Sequence, residues 1–209
     1  DSRGYLFNNL RFIEFDDKAI YFDYSLPKLT SPLEKKIIHK LLIEQHPILE
    51  YLTANKTKTT EELFYRTAGG RYFKIFSDRD FGSESKSNKS KCFRSDYNVY
   101  VFIAILSSNY WWWYYTLHFD MYNCKDYMMY GFNFDYSKSR IISKLIDLGR
   151  MLSNDIFLKA NVKEQQYLTT GNRSQLIFKP ALSKPIIDEI DRVLAEHYGF
   201  TDEELDFII

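Results

Sequence analysis

Cysteine is scarce: Cys92 and Cys124 are the two in 209 residues. They exclude a disulfide framework, and no signal peptide or transit sequence opens the chain, so a reducing cytoplasm is the expected setting. Glycine, at eight residues, nowhere forms the phosphate-cradling turns of nucleotide enzymes. A Gly-x-Gly cofactor turn, a Walker loop, a Gly-x-Ser-x-Gly elbow and a His-Glu-x-x-His pair are all missing. Net charge is missing too, with 28 Lys plus Arg against 28 Asp plus Glu. No apolar run is clean enough for a membrane span, because Asn98, Ser107, Ser108 and Asn109 interrupt the longest one, residues 95–119.

Two weak lookalikes of chemistry remain. Asp23 with Glu34-Lys35-Lys36 mimics the acid-x-Lys spacing of metal-dependent nucleases, but Glu34 falls at a predicted helix start rather than on a strand. A stand-alone nuclease is therefore the remotest reading. His118, Asp120, Cys124 and Asp126 lack the second Cys or His pair that a zinc site needs. No catalytic, metal or cofactor site is expected in this chain.

What is abundant is aromatic surface, at 18% of residues within a 45% hydrophobic whole. That is enough to bury a real core. The predicted class is α+β: aromatic-rich sheet and ribbons packed on a central buried helix, with helices at the C-terminal end. The stretch 95–119, with Trp111 to Tyr115 inside it, reads as that single helix, its aromatics serving as core.

Flanking elements follow from local signals. Residues 4–24 read as an aromatic hairpin. Ser31-Pro32-Leu33-Glu34 caps a helix expected to run from Pro32 to about Ala54, with Pro47 as its bend. Residues 62–77 alternate around Ala68-Gly69-Gly70 as a two-stranded ribbon, and 78–94 read as a mobile basic loop. Residues 120–134 read as a turn and a strand, 138–161 as a helix, and 165–180 as a second ribbon turning at 170–173. A helix from Lys184 to Gly199 and a capping box at Thr201-Asp202-Glu203-Glu204 close the chain.

Charge is neutral in sum and uneven along the chain. Residues 66–94 carry eight basic side chains against three acids, whereas 188–206 carry eight acids and one Arg. Candidate nucleic-acid contacts are accordingly Arg66, Arg71 and Lys74 around the first glycine turn, Lys86, Lys89, Lys91 and Arg94 after it, and Asn172 and Arg173 at the second.

Four segments carry a family likeness: residues 63–74 (LFYRTAGGRYFK), residues 106–112 (LSSNYWW), residues 118–126, and residues 184–191 (KPIIDEID) continuing to Tyr198-Gly199-Phe200-Thr201. In order and spacing they resemble the C-terminal target-recognition region of bacterial adenine-N6 DNA methyltransferases. These are the type IIG restriction-modification enzymes and related phage-defence methylases that end in a TaqI-like specificity domain. The likeness implies residues 61–182 as a target-recognition domain, 1–60 as the link to a methylase core, and 183–209 as a C-terminal helical segment. It implies a fragment of a longer chain, inert by itself, that reads double-stranded DNA while adenine is flipped. The family's Asn/Asp-Pro-Pro-Tyr/Phe tetrapeptide and glycine-rich loop are absent here, so S-adenosylmethionine is expected on the parent's methylase core. The competing expectation is a protein-interaction module that packs on that core or on a partner subunit.

Overall fold

A computed structural model describes residues 2–10, 12, 14, 26–43, 45–68, 74–83, 85–167 and 171–209; for residues 2, 139, 165–167, 171–173 and 175 it describes the backbone alone. The class is α+β, with eight α-helices, a four-stranded antiparallel sheet and a separate two-stranded one among these residues.

The N-terminal segment Ser2–Asn8 is a short helix, α1, not the first arm of a hairpin; residues 16–24, the expected turn and second arm, lie outside the described residues. Helix α2, Pro32–Ile43, starts where the capping signal puts it. The Glu34 carboxylate accepts hydrogen bonds from the Ser31 N–H at 2.8 Å and the Thr30 hydroxyl at 2.7 Å, while the Glu34 N–H donates to the Ser31 hydroxyl. These bonds satisfy donors that the first turn leaves open. The helix stops well short of Ala54. Pro47 is extended at φ −64°, ψ 141°, and a 3-10 turn, Ile48–Tyr51, then leads into strand β1, Leu52–Thr53.

Strands β2, Glu62–Arg66, and β3, Phe76–Ser77, pair antiparallel as the alternation predicts. The basic stretch after them is not a loop throughout. Asn88–Phe93 forms β4, which pairs with both β1 and β2, giving the order β1-β4-β2-β3. A strand so poor in apolar residues holds its place because both of its edges are hydrogen-bonded and its last two side chains, Cys92 and Phe93, are buried.

The central apolar stretch is two helices rather than one. Helix α3, Val99–Leu106, ends at Ser107, and α4, Asn109–His118, starts after Ser108. Ser108 marks the break: its hydroxyl donates to the Ile105 carbonyl at 2.6 Å and accepts from the Trp111 N–H at 3.0 Å, ending one helix and capping the next. Trp111, Tyr114 and Tyr115 are fully buried, and Trp112 and Trp113 half-buried, so the aromatic run is core.

After it, Asp126–Tyr130 is a helix, α5, where a strand was expected. Helix α6, Ile142–Leu158, packs on α3 closely enough that Gly149 faces the Tyr100 carbonyl. Strands β5, Asn161–Tyr167, and β6, Gly171–Ile177, form the second ribbon. Helix α7, Lys184–Tyr198, ends at Gly199 with φ 66°, the left-handed conformation that glycine adopts without strain, and Thr201 caps α8, Asp202–Ile208.

Apolar groups from α2, the sheet, α3, α4, α5, α6 and α7 share one core. Rings join its parts: Phe93 stacks on Phe102 at 4.0 Å, Phe76 meets Trp111 edge-on at 5.1 Å, and Tyr110 stacks on Phe200 at 4.7 Å. No described helix is long and apolar enough to cross a membrane.

Candidate nucleic-acid interface

The register of β2 against β4 decides where most of the candidate cations go. Arg66 lies opposite Asn88, and Tyr65 opposite Lys89. Beyond Arg66 the Thr67 N–H donates to the Ser87 carbonyl at 2.9 Å, and the Thr67 hydroxyl donates to the same oxygen at 3.2 Å. The turn before β4 is closed by the Asn88 side-chain amide, which donates to the Ser83 carbonyl at 2.8 Å and the Ser83 hydroxyl at 3.0 Å. Arg66, Lys86 and Lys89 are therefore held at one end of the sheet, and all three are exposed. Successive side chains alternate across a strand, so Arg66 and Lys89 straddle that end on opposite faces.

The other candidates separate from this group. Lys91 is half-buried and paired with Asp126 at 2.8 Å, and the second oxygen of that carboxylate accepts from the Tyr65 hydroxyl at 2.7 Å. Burial works to raise the Asp126 carboxyl, but the bonds from Lys91 and Tyr65 prevail and hold it below the ordinary range. Lys74 is inside, only 5% exposed, with its ammonium donating to the Met121 carbonyl at 3.5 Å and lying 5.9 Å from the Tyr115 ring centre. Burial pulls its pKa below that of an ordinary lysine. An ammonium so placed is not a surface phosphate contact, which takes Lys74 out of the set. The chain at Lys74 leads straight into β3, whose Phe76 lies in the core, a tertiary outcome that counting charges could not foresee.

Arg94 is exposed but sits at the far end of β4, where its guanidinium lies 5.1 Å from the Tyr97 ring centre and donates to the Tyr97 hydroxyl at 3.2 Å. Arg71 lies outside the described residues. Asn172 and Arg173 are on β6, opposite Gln166 and Gln165; their side chains are not described, and as neighbours in a strand they belong to opposite faces. Lys163, exposed on β5, belongs with the exposed cations although no turn or charge run in the sequence marks it. Its signal is only the pairing register of the ribbon.

The acidic tail does not cover the basic sheet end. Asp188 pairs with Lys184 at 2.5 Å, Glu189 with Lys144 at 2.7 Å and with Arg192 at 3.2 Å, and Glu204 with Lys40 at 2.6 Å. Three of the tail acids, Asp188, Glu189 and Glu204, are thus engaged by cations of the helical layer. A cleft of about 190 Å³ lined by Lys138, Arg140, Ile141, Glu196 and His197 lies there too. Burial drives His197 down to about 4, so this imidazole is neutral at physiological pH. Cys124 is buried, which pushes its thiol up to about 12 and leaves it inert as a nucleophile. Among the described residues no group of three or more His, Cys, Asp or Glu side chains could hold a metal ion.

Comparison of the chain with protein-family models, with curated proteins and with solved structures finds no match.

Proposed function

We propose that this chain is the target-recognition part of a bacterial adenine-N6 DNA methyltransferase from a restriction-modification or phage-defence system. On this reading it is a cytoplasmic, non-catalytic reader of double-stranded DNA. One observation carries it: Arg66, Lys86 and Lys89 stand exposed at one end of the sheet, while the tail acids Asp188, Glu189 and Glu204 are engaged by other cations. The four resembling segments support the same class. Exposed cations at a sheet end suit phosphate contacts that fix register on the duplex, and base contacts from a ribbon then specify the sequence. S-adenosylmethionine and the methyl-transfer chemistry belong, on this reading, to a methylase core elsewhere in the parent chain.

The experiment is fluorescence anisotropy with a labelled 20-base-pair duplex over a salt series. Binding that weakens with salt, and a slope of log K against log salt that falls by about 0.9 for each of Arg66→Ser, Lys86→Ser and Lys89→Ser, is expected. Binding unaffected by the triple variant would remove the sheet end from the interface.

A second reading, the protein-interaction module, has its own observation in the N-terminal segment: Tyr5 is 72%, Phe7 73% and Phe12 90% exposed. Aromatic side chains this exposed suit contact with another apolar surface. If Phe7→Ser and Phe12→Ser abolish binding of a hydrophobic dye and leave DNA affinity unchanged, that segment serves protein contact and not DNA.

A further inference from the structure

Among the described residues the ribbon of β5 and β6 pairs with no other strand. Asn161, Val162, Lys163, Glu164, Ser174 and Ile177 are exposed. Seven residues in each strand make it about 23 Å long at about 3.3 Å per residue. Its base is fixed. Phe178, just after β6, lies 5.7 Å from Phe81 and 5.1 Å from Phe157, wedging the ribbon's root into the body.

The register sorts the ribbon's residues into two unlike faces. Lys163 lies opposite Gln175, Gln165 opposite Arg173, and Tyr167 opposite Gly171, and by strand alternation these positions share one face. Val162 opposite Leu176, Glu164 opposite Ser174, and Gln166 opposite Asn172 share the other. Both cations of the ribbon thus fall on the first face, and its single acid on the second. The first face is complementary to a polyanion, and its residue types are those that hydrogen-bond base edges: Arg to guanine, Gln to adenine. A two-stranded ribbon also has the cross-section that a major groove admits.

We propose that the β5–β6 ribbon enters the major groove of duplex DNA and reads it with the face that carries Lys163, Gln165, Arg173 and Gln175. The inference rests on the DNA-recognition reading above and assigns the reading element within it. Lys163 and Arg173 supply the charge, Gln165 and Gln175 the sequence preference. Asn172, on the opposite face, is not part of the reading set.

The test uses the intact chain and a fluorescein-labelled pool of 20-base-pair duplexes of random central sequence. Lys163→Gln and Arg173→Gln should each lower the salt slope by about 0.9. The Gln165→Ala, Gln175→Ala double variant should keep the slope and lose the sequence enriched in rounds of selection. Glu164→Gln and Asn172→Ala should leave the enriched sequence unchanged. Because the ribbon stands off the core, none of these changes should move the melting temperature of the body. Equal effects from the two faces, or an effect confined to Arg66, Lys86 and Lys89, would overturn the ribbon assignment while leaving DNA recognition standing. No duplex binding at all, with a partner protein captured along the ribbon instead, would overturn both.

Discussion

Asp191, fully buried on α7, accepts both the backbone N–H of Asn109 at 2.9 Å and its side-chain amide at 2.7 Å. One carboxyl group thereby caps the first turn of α4 and ties it to α7, across 82 residues of sequence. Removing it leaves the donors of that first turn, Asn109 and the Tyr110 N–H, without their acceptor. Asp191→Ala should cost about 3 kcal/mol, the scale for leaving buried donors unsatisfied. Urea denaturation followed by tryptophan fluorescence would show this, and a loss below about 1 kcal/mol would mean that other groups serve these donors.

The same carboxyl sets part of the pH dependence. Burial pushes Asp191 up to about 7, with the Asn109 donors pulling the other way, while burial drives His118 and His197 down to about 4. The histidines' folded values lie below their unfolded value of about 6.5, so the stability they contribute is present above that pH and lost as pH falls toward 4. Asp191's folded value lies above its unfolded value of about 3.9, so its contribution is present below that pH and lost as pH rises through 7. The two trends oppose each other between about pH 4 and 6.5. Asp191→Asn should therefore make stability climb more steeply with pH across that window, read from urea midpoints at several pH values. Parallel curves for the two proteins would contradict the assignment.

Gly149 is where α6 touches α3. A Cβ there would sit 2.0 Å from the Tyr100 carbonyl oxygen, against backbone that cannot swing away. Alanine raises helix propensity by about 1 kcal/mol over glycine, but parting two packed helices costs more. Gly149→Ala should lose about 3 kcal/mol, at the severe end for overpacking. Gly199→Ala, with open space around it and only its φ of 66° to oppose it, should lose about 1 kcal/mol. Thermal melts should rank the two in that order; the reverse would mean the helices are free to move apart.

Asp126 restrains Lys91. In Asp126→Asn the Tyr65 hydroxyl keeps an acceptor while Lys91 loses its counter-charge. If Lys91 borders the DNA surface, the salt slope should rise by about 0.9 and affinity with it. An unchanged slope in the anisotropy assay would place Lys91 outside the contact area.

The devices legible from sequence are those whose partners lie three or four residues apart. The Ser31–Glu34 and Thr201–Glu204 boxes and the left-handed stop at Gly199 stand where local chemistry puts them, because each satisfies backbone groups of its own turn. In the sequence Ser107 and Ser108 read only as interruptions of an apolar run. Their meaning as a helix break depends on the Ser108 hydroxyl reaching Ile105 and Trp111, again a local bond.

What the amino-acid order determined alone is the α+β class, the buried aromatic centre and the uneven charge, since hydrophobic content and periodicity act along the chain. The tertiary structure decided the rest. It made a Ser-, Lys- and Asn-rich stretch into β4 by supplying hydrogen-bonding partners from Leu52 to Arg66. It drew Lys74 inside, set Asp126 on Lys91, and gathered Arg66, Lys86 and Lys89 at one sheet end. Pairing register and burial link residues tens of positions apart, and no local pattern encodes which of many equal lysines will meet solvent.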